Sequence, residues 1–174
     1  MTKRDHQDIQ SVEELLKYAY QIERDAATRY TALAEQMDVH NNPELAAVFR
    51  KMAVLEQMHV DDIGGLSREL DIPEEKIAPR WLGLESGEAP DFADLHYQAQ
   101  PWHMLRLAMV FEKRNAEFYA KLAAATNVQV VRDVATRLAK EEEMHLNELD
   151  KWSKRYPEPE ADWDVDMDPP GELE

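Results

Sequence analysis

The chain has 174 residues, with 20 Lys and Arg against 36 Asp and Glu, a net charge of −16. That length suits one domain with a real core. With 5 Gly and 9 Pro a turn-rich β architecture is disfavoured, and the absence of cysteine excludes disulfides, thiolate metal sites and thiol chemistry. The acidic balance disfavours nucleic acid and anionic membrane as partners and favours cations and basic proteins. No apolar run nears the roughly 20 residues of a membrane span. The opening MTKRDHQDIQ has no hydrophobic signal region, so a cytoplasmic protein is expected.

Residues 1–10 read as a polar N-terminal segment, ahead of a first helix over Ser11–Val39. Ser11 and Glu14 have the S-x-x-E spacing of a capping box. Leu16, Ala19, Glu23, Ala26, Tyr30, Leu33 and Met37 recur at steps of three and four, one buried stripe with a glutamate in it. Asn42-Pro43, a cap residue followed by proline, opens a second helix with the stripe Leu45, Val48, Met52, Leu55 and His59 and with Glu56 beside it. Gly64-Gly65 is expected to weaken or end this helix. A stretch of about 71–100 with Pro73, Pro79 and Pro90 follows. A third helix starts near Pro101, with Leu105, Ala108, Glu112, Asn115, Tyr119 and Leu122 on one face. A fourth starts near Asn127, with Val131, Val134, Leu138, Glu142, His145, Leu149 and Trp152. The links at His40–Asn42 and Thr126–Asn127 are short enough for antiparallel hairpins. Two hairpins joined by one long crossover predict an all-α, ferritin-like four-helix bundle over 11–156. Residues 157–174 hold eight acids and no base, and are expected to be a flexible tail.

The two hairpins repeat one another. Ile22–Tyr30 (IERDAATRY) aligns with Phe111–Tyr119 (FEKRNAEFY), and Glu56-Gln57-Met58-His59 aligns with Glu142-Glu143-Met144-His145. Each hairpin therefore offers one Glu from its first helix and an E-x-x-H from its second. Residues three apart share a helix face, so the Glu and His of each motif can grip one ion. A single E-x-x-H is common by chance; two of them, each preceded by a stripe glutamate at matched spacing, is a strong signal. Four ionised carboxylates buried together would be prohibitive without compensation. Two divalent cations cancel them, and a trivalent pair with one bridging oxide is neutral by the same count. Imidazole and carboxylate suit iron, manganese or zinc. Glu141 and Glu143 fall off the E-x-x-H register and read as solvated. His6, His40, His96 and His103 have no partner at ligand spacing. The alternating acids of Asp162–Asp168 lack the Gly and Glu of a calcium loop.

The motifs IERDAATRY, LEQMH, FEKRNAEFY and KEEEMH resemble those of the rubrerythrin branch of the ferritin-like di-iron proteins, over about Ser11–Tyr156. The resemblance implies two irons held by Glu23, Glu56, His59, Glu112, Glu142 and His145, with Glu56 and Glu142 bridging. It implies oxidoreductase chemistry on peroxide or O₂, or ferrous iron as substrate for storage or detoxification, and a homodimer. Tyr30 and Tyr119 are expected to point back toward the glutamate of their own helix and to hydrogen-bond ligands or pass an electron. Two departures stand out. Rubrerythrins proper carry a cysteine-ligated iron domain that supplies electrons; without cysteine this chain needs a separate electron-donor protein. They also place a further glutamate one turn after the third-helix Glu, where this chain has Asn115, which weakens the case for peroxide reduction. A metal-stabilised bundle with a binding role only is the non-enzymatic alternative.

Overall fold

The computed structural model describes Ile9, residues 11–77 and residues 100–160. Among these there are five helices and no strand: α1 (Val12–Val39), α2 (Pro43–Glu69), α3 (Glu74–Ile77), α4 (Pro101–Ala125) and α5 (Gln129–Ser153). The helix starts follow the local chemistry. Ser11 caps α1 in a full capping box with Glu14. The Asn42 side chain accepts from the Leu45 N–H ahead of α2, with Pro43 at the first helical position. At α4, His103 Nδ1 accepts the Gln100 backbone N–H at 3.0 Å, which gives one of the four isolated histidines a capping role. His6 and His96 lie outside the described residues.

The α1–α2 turn passes through Asn41 at φ 55, a left-handed conformation that Asn tolerates better than most residues. Asp71 does the same just after α2, at φ 53. Of the two outcomes expected of the glycine pair, a weak spot or an end of α2, the end is not seen. The helix runs through Gly64 and Gly65 to Glu69. Two mid-helix glycines cost about 1 kcal/mol each relative to alanine. The buried side chains that flank them, Ile63 and Ser67, and the Arg68 guanidinium close beside both, hold the segment helical. The short α3 was not anticipated. It sits at the start of the predicted crossover, tucks Ile77 into the core, and is tied to α1 by Lys76–Glu13 at 2.9 Å. The rest of that crossover and residues 161–174 lie outside the described residues.

The two hairpins, α1–α2 and α4–α5, pack face to face. Tyr30 meets Glu112 while Tyr119 meets Glu23, so α1 and α4 run antiparallel. Arg155–Glu44 and Lys51–Glu148 contacts show the same of α2 and α5. The core is split into two apolar clusters. One is built around Leu33, Met37, Leu45, Phe49, Met52 and Leu105. The other holds Leu15, Leu16, Ile63, Leu122, Val131 and Leu138. Each fully buried Leu, Ile, Phe or Met contributes about 1.5–3 kcal/mol. Between the two clusters lies a polar layer, and it contains most of the buried ionisable groups. Among the described helices none is long and apolar enough to cross a membrane.

Candidate metal centre

Glu23, Glu56, Glu112 and Glu142 are each 0 or 1% exposed, and His145 is 7% exposed. The four glutamates sit on the inner stripes of four different helices, where the 3.6-residue period places them among leucines and alanines, and His145 shares α5 with Glu142. The His59 side chain is 13% exposed and completes the layer from α2. All six residues named from the repeat therefore meet in one place, mid-bundle.

Their geometry falls into two overlapping groups. His59 Nδ1 stands 3.5 Å from both Glu23 Oε2 and Glu56 Oε2. His145 Nδ1 stands 2.8 Å from Glu56 Oε1 and 3.5 Å from Glu112 Oε2. In each group, Glu23–Glu56–His59 and Glu56–Glu112–His145, the three ligand atoms lie within 4.8 Å of one another. Glu56 belongs to both, one oxygen to each, which is the placement a bridging carboxylate needs. Glu142 falls in neither group, although its carboxyl lies close enough to Glu112 to be perturbed by it. The two imidazoles stack, with centroids 5.2 Å apart and planes 10° from parallel.

The buried atoms test whether ions fit here. Among the described residues, seven buried side-chain N and O atoms have no aligned hydrogen-bond partner: Glu23 Oε2, both Glu56 oxygens, His59 Nδ1, Glu112 Oε2, Glu142 Oε2 and His145 Nδ1. All seven belong to the six residues of this layer. The His145–Glu56 pair is close in distance but not aligned as a hydrogen bond. Buried polar atoms are otherwise satisfied in folded proteins, and each one left unmatched costs about 1–3 kcal/mol. Two oxygen- and nitrogen-seeking cations would satisfy the whole set at once. Hard carboxylate oxygens with two imidazoles fit iron or manganese, and also zinc.

Without metal, protons stand in for it. Burial would push His59 down, but the Glu23 and Glu56 carboxylates 3.5 Å away outweigh it and lift the imidazole to about 10. His145 is lifted to about 9 in the same way, burial being outweighed by Glu112 and Glu56. Burial, opposed by the neighbouring His59, brings Glu23 to about 7. Burial and the adjacent Glu112 carboxylate raise Glu142 well above the usual range. Glu56 goes the other way: burial is overcome by His145 and His59, which hold it down at about 2.

The tyrosines correct one expectation. Tyr30 donates its hydroxyl to Glu112 Oε1, and Tyr119 donates to Glu23 Oε1 at 2.8 Å. Each tyrosine serves the glutamate of the other hairpin, not of its own helix. Seven residues are two turns, roughly 10.5 Å of rise, too far for a phenol to reach back; antiparallel packing of α1 on α4 puts the partner's carboxylate opposite. Both phenols are held well above their ordinary range, first by burial and then by the carboxylate each one faces, so both keep their protons and act as donors. Asn115 is half-buried on α4, one turn beyond Glu112 on the same face.

Glu141 was also misplaced by the sequence. Glu143 is exposed as expected, but the Glu141 side chain is only 23% exposed, and its Oε2 lies 3.9 Å from His59 Nε2. The missed signal is its i, i+4 relation to His145, which puts it on the same side of α5.

A sequence profile of the family described as Rubrerythrin matches residues 14–153. The chain belongs to the rubrerythrin family. A crystal structure at 2.00 Å of an uncharacterised conserved protein from Magnetospirillum magnetotacticum MS-1 is similar, with 35% sequence identity and a TM-score of 0.70. The match covers 86% of this chain and 98% of that one. No curated protein sequence matches the chain. Members of the rubrerythrin family are di-iron carboxylate proteins, and the layer found here has the donor set such a centre uses. These 174 residues contain no cysteine, so no thiolate-ligated iron can be held within them.

Proposed function

We propose that this chain is a dinuclear metal oxidoreductase that reduces peroxide or O₂, with iron as its resident metal. The carrying observation is the set of seven unmatched buried atoms on six side chains, arranged as two groups that share Glu56. Glu23, Glu56 and His59 would hold one ion and Glu56, Glu112 and His145 the other, with Glu142 as the sixth ligand between them. When bound, a ferrous pair supplies two electrons, the number that takes one peroxide and two protons to two waters.

The chain's own residues set the conditions for that step. Tyr30 and Tyr119 fix one oxygen of Glu112 and Glu23, leaving the other oxygen of each turned to the centre. The apolar clusters close the layer on both sides along the bundle axis and keep bulk water out. The histidine side, 13% and 9% exposed at the two side chains, is the side from which a small oxidant would enter. Re-reduction would come from a separate electron-donor protein, and the family precedent supports a homodimer.

Ferrous iron is the second reading of the substrate. Asn115 favours it, since a further carboxylate associated with peroxide reduction is replaced there by an amide. The test is to load the protein with ferrous iron without air, then add peroxide or O₂ in separate runs. Ferric absorption in the near ultraviolet within minutes is the expected result. Repeated turnover of excess ferrous iron without any other reductant would assign the iron-oxidising role, and peroxide turnover sustained by an added reductant without excess iron would assign peroxide reduction. No change with either oxidant would leave only a metal-binding bundle.

A further inference from the structure

The two halves of the centre are related by the internal repeat, but the residue just ahead of each E-x-x-H differs between them. The offset of 86 residues that maps Glu56 onto Glu142 and His59 onto His145 maps Leu55 onto Glu141. So the first hairpin has a leucine where the second has a carboxylate. The consequence crosses between hairpins. His59 turns Nδ1 toward Glu23 and Glu56 at 3.5 Å and turns Nε2 toward Glu141 Oε2 at 3.9 Å. His145 turns Nδ1 to Glu56 and Glu112, and Leu55, the repeat equivalent of Glu141, has no oxygen to offer it.

We propose that Glu141 is a positioning residue for His59, and that it makes the two metal positions unequal. A histidine that binds metal through one nitrogen usually donates its other N–H to a carboxylate, which fixes the tautomer, the ring orientation and the basicity of the ligating nitrogen. Glu141 is placed to accept that N–H. Its present 3.9 Å is an ion-pair distance. A movement of about 1 Å would bring it to hydrogen-bond length, and the side chain is partly exposed on a flexible stem. Its carboxylate then holds the proton on Nε2 and leaves the Nδ1 lone pair for the ion. The Glu23–Glu56–His59 position is thereby the stronger of the two and fills first. The Glu56–Glu112–His145 position, with leucine in the corresponding place, is the weaker and more exchangeable one. This inference rests on the dinuclear reading above.

The test uses the full chain, with cobalt(II) as the metal. Wild type is expected to bind two ions with distinct affinities. Its ¹⁵N-histidine-labelled, cobalt-loaded form should show a slowly exchanging, paramagnetically shifted imidazole N–H. Glu141→Ala should weaken the tighter site about 10- to 100-fold, as loss of such a partner does elsewhere, leave the weaker site unchanged, and abolish that N–H signal. Glu141→Gln keeps an acceptor oxygen and should restore the signal and most of the affinity. Leu55→Glu should strengthen the weaker site. The inference is overturned if Glu141→Ala leaves both affinities and the N–H signal as in wild type, or lowers both affinities equally. Circular dichroism on each variant checks that the helices persist. A wild type that binds no cobalt at all overturns the dinuclear reading itself, and this inference with it.

Discussion

Loading the centre should expel protons, and the number follows from the side chains. In the metal-free protein His59 holds its proton up to about 10 and His145 up to about 9. At pH 7 both are charged, and both must become neutral to ligate. Glu23, at about 7, is half protonated at that pH, and Glu142 is raised well above the usual carboxylate range. Glu56, held at about 2, has nothing to release. Binding of a divalent pair at pH 7 should therefore release at least two protons and about three in all. The sign is fixed: protons compete with metal, so affinity strengthens as pH rises until the imidazole values are passed. Each linked proton is a factor of ten per pH unit, so the overall constant for the pair should fall about a thousandfold from pH 7.5 to 6.5. Calorimetric titration with cobalt(II) or zinc(II), in buffers of different ionisation enthalpy, counts the protons. A release below one proton, or an uptake, would refute the arrangement, because it would mean that the six side chains are not held together in protonated form before the metal arrives.

Stripping metal should lower the melting temperature. At free metal a hundred times its dissociation constant, binding adds about 2.7 kcal/mol, which for a chain of this size is roughly 5–11 °C; an apo form that melts at or above the loaded form would count against the centre. Tyr119→Phe removes one hydrogen bond to a buried carboxylate at 2.8 Å and keeps the ring, so unfolding free energy should drop by about 1.5–3 kcal/mol. Denaturation should show a similar loss for Tyr30→Phe, and a neutral result for both would make the phenols incidental. Asn115→Glu adds a carboxylate on the face of Glu112. Stopped-flow mixing of the reduced iron form should show its peroxide rate rising relative to its O₂ rate; equal slowing of both would show that the added charge only over-neutralises the metals.

Much of this centre was legible from the sequence because the relevant information is local or repeated. The stripes at steps of three and four place Glu23, Glu112 and Glu142 on faces otherwise apolar, and an ionisable group on such a face demands compensation. The E-x-x-H spacing joins each histidine to a glutamate one turn away, and the repeat sets the two hairpins in correspondence. Caps at Ser11 and Asn42 act within one turn, so the starts of α1 and α2 were readable to the residue. The glycine pair misled because local propensity, at about 1 kcal/mol per glycine, yields to the packing of Ile63 and Ser67 on either side.

What depended on the packing of one hairpin on the other was not readable. Periodicity shows which side of a helix is buried but not which residue of another helix lies opposite it. The exchange of tyrosines between hairpins, the sharing of Glu56 by both groups and the approach of Glu141 to His59 all join residues of different helices, between 33 and 96 positions apart. Their partners are set by the antiparallel register of α1 on α4 and of α2 on α5. That register is a property of two interlocking surfaces, decided only when the apolar clusters above and below the polar layer close together.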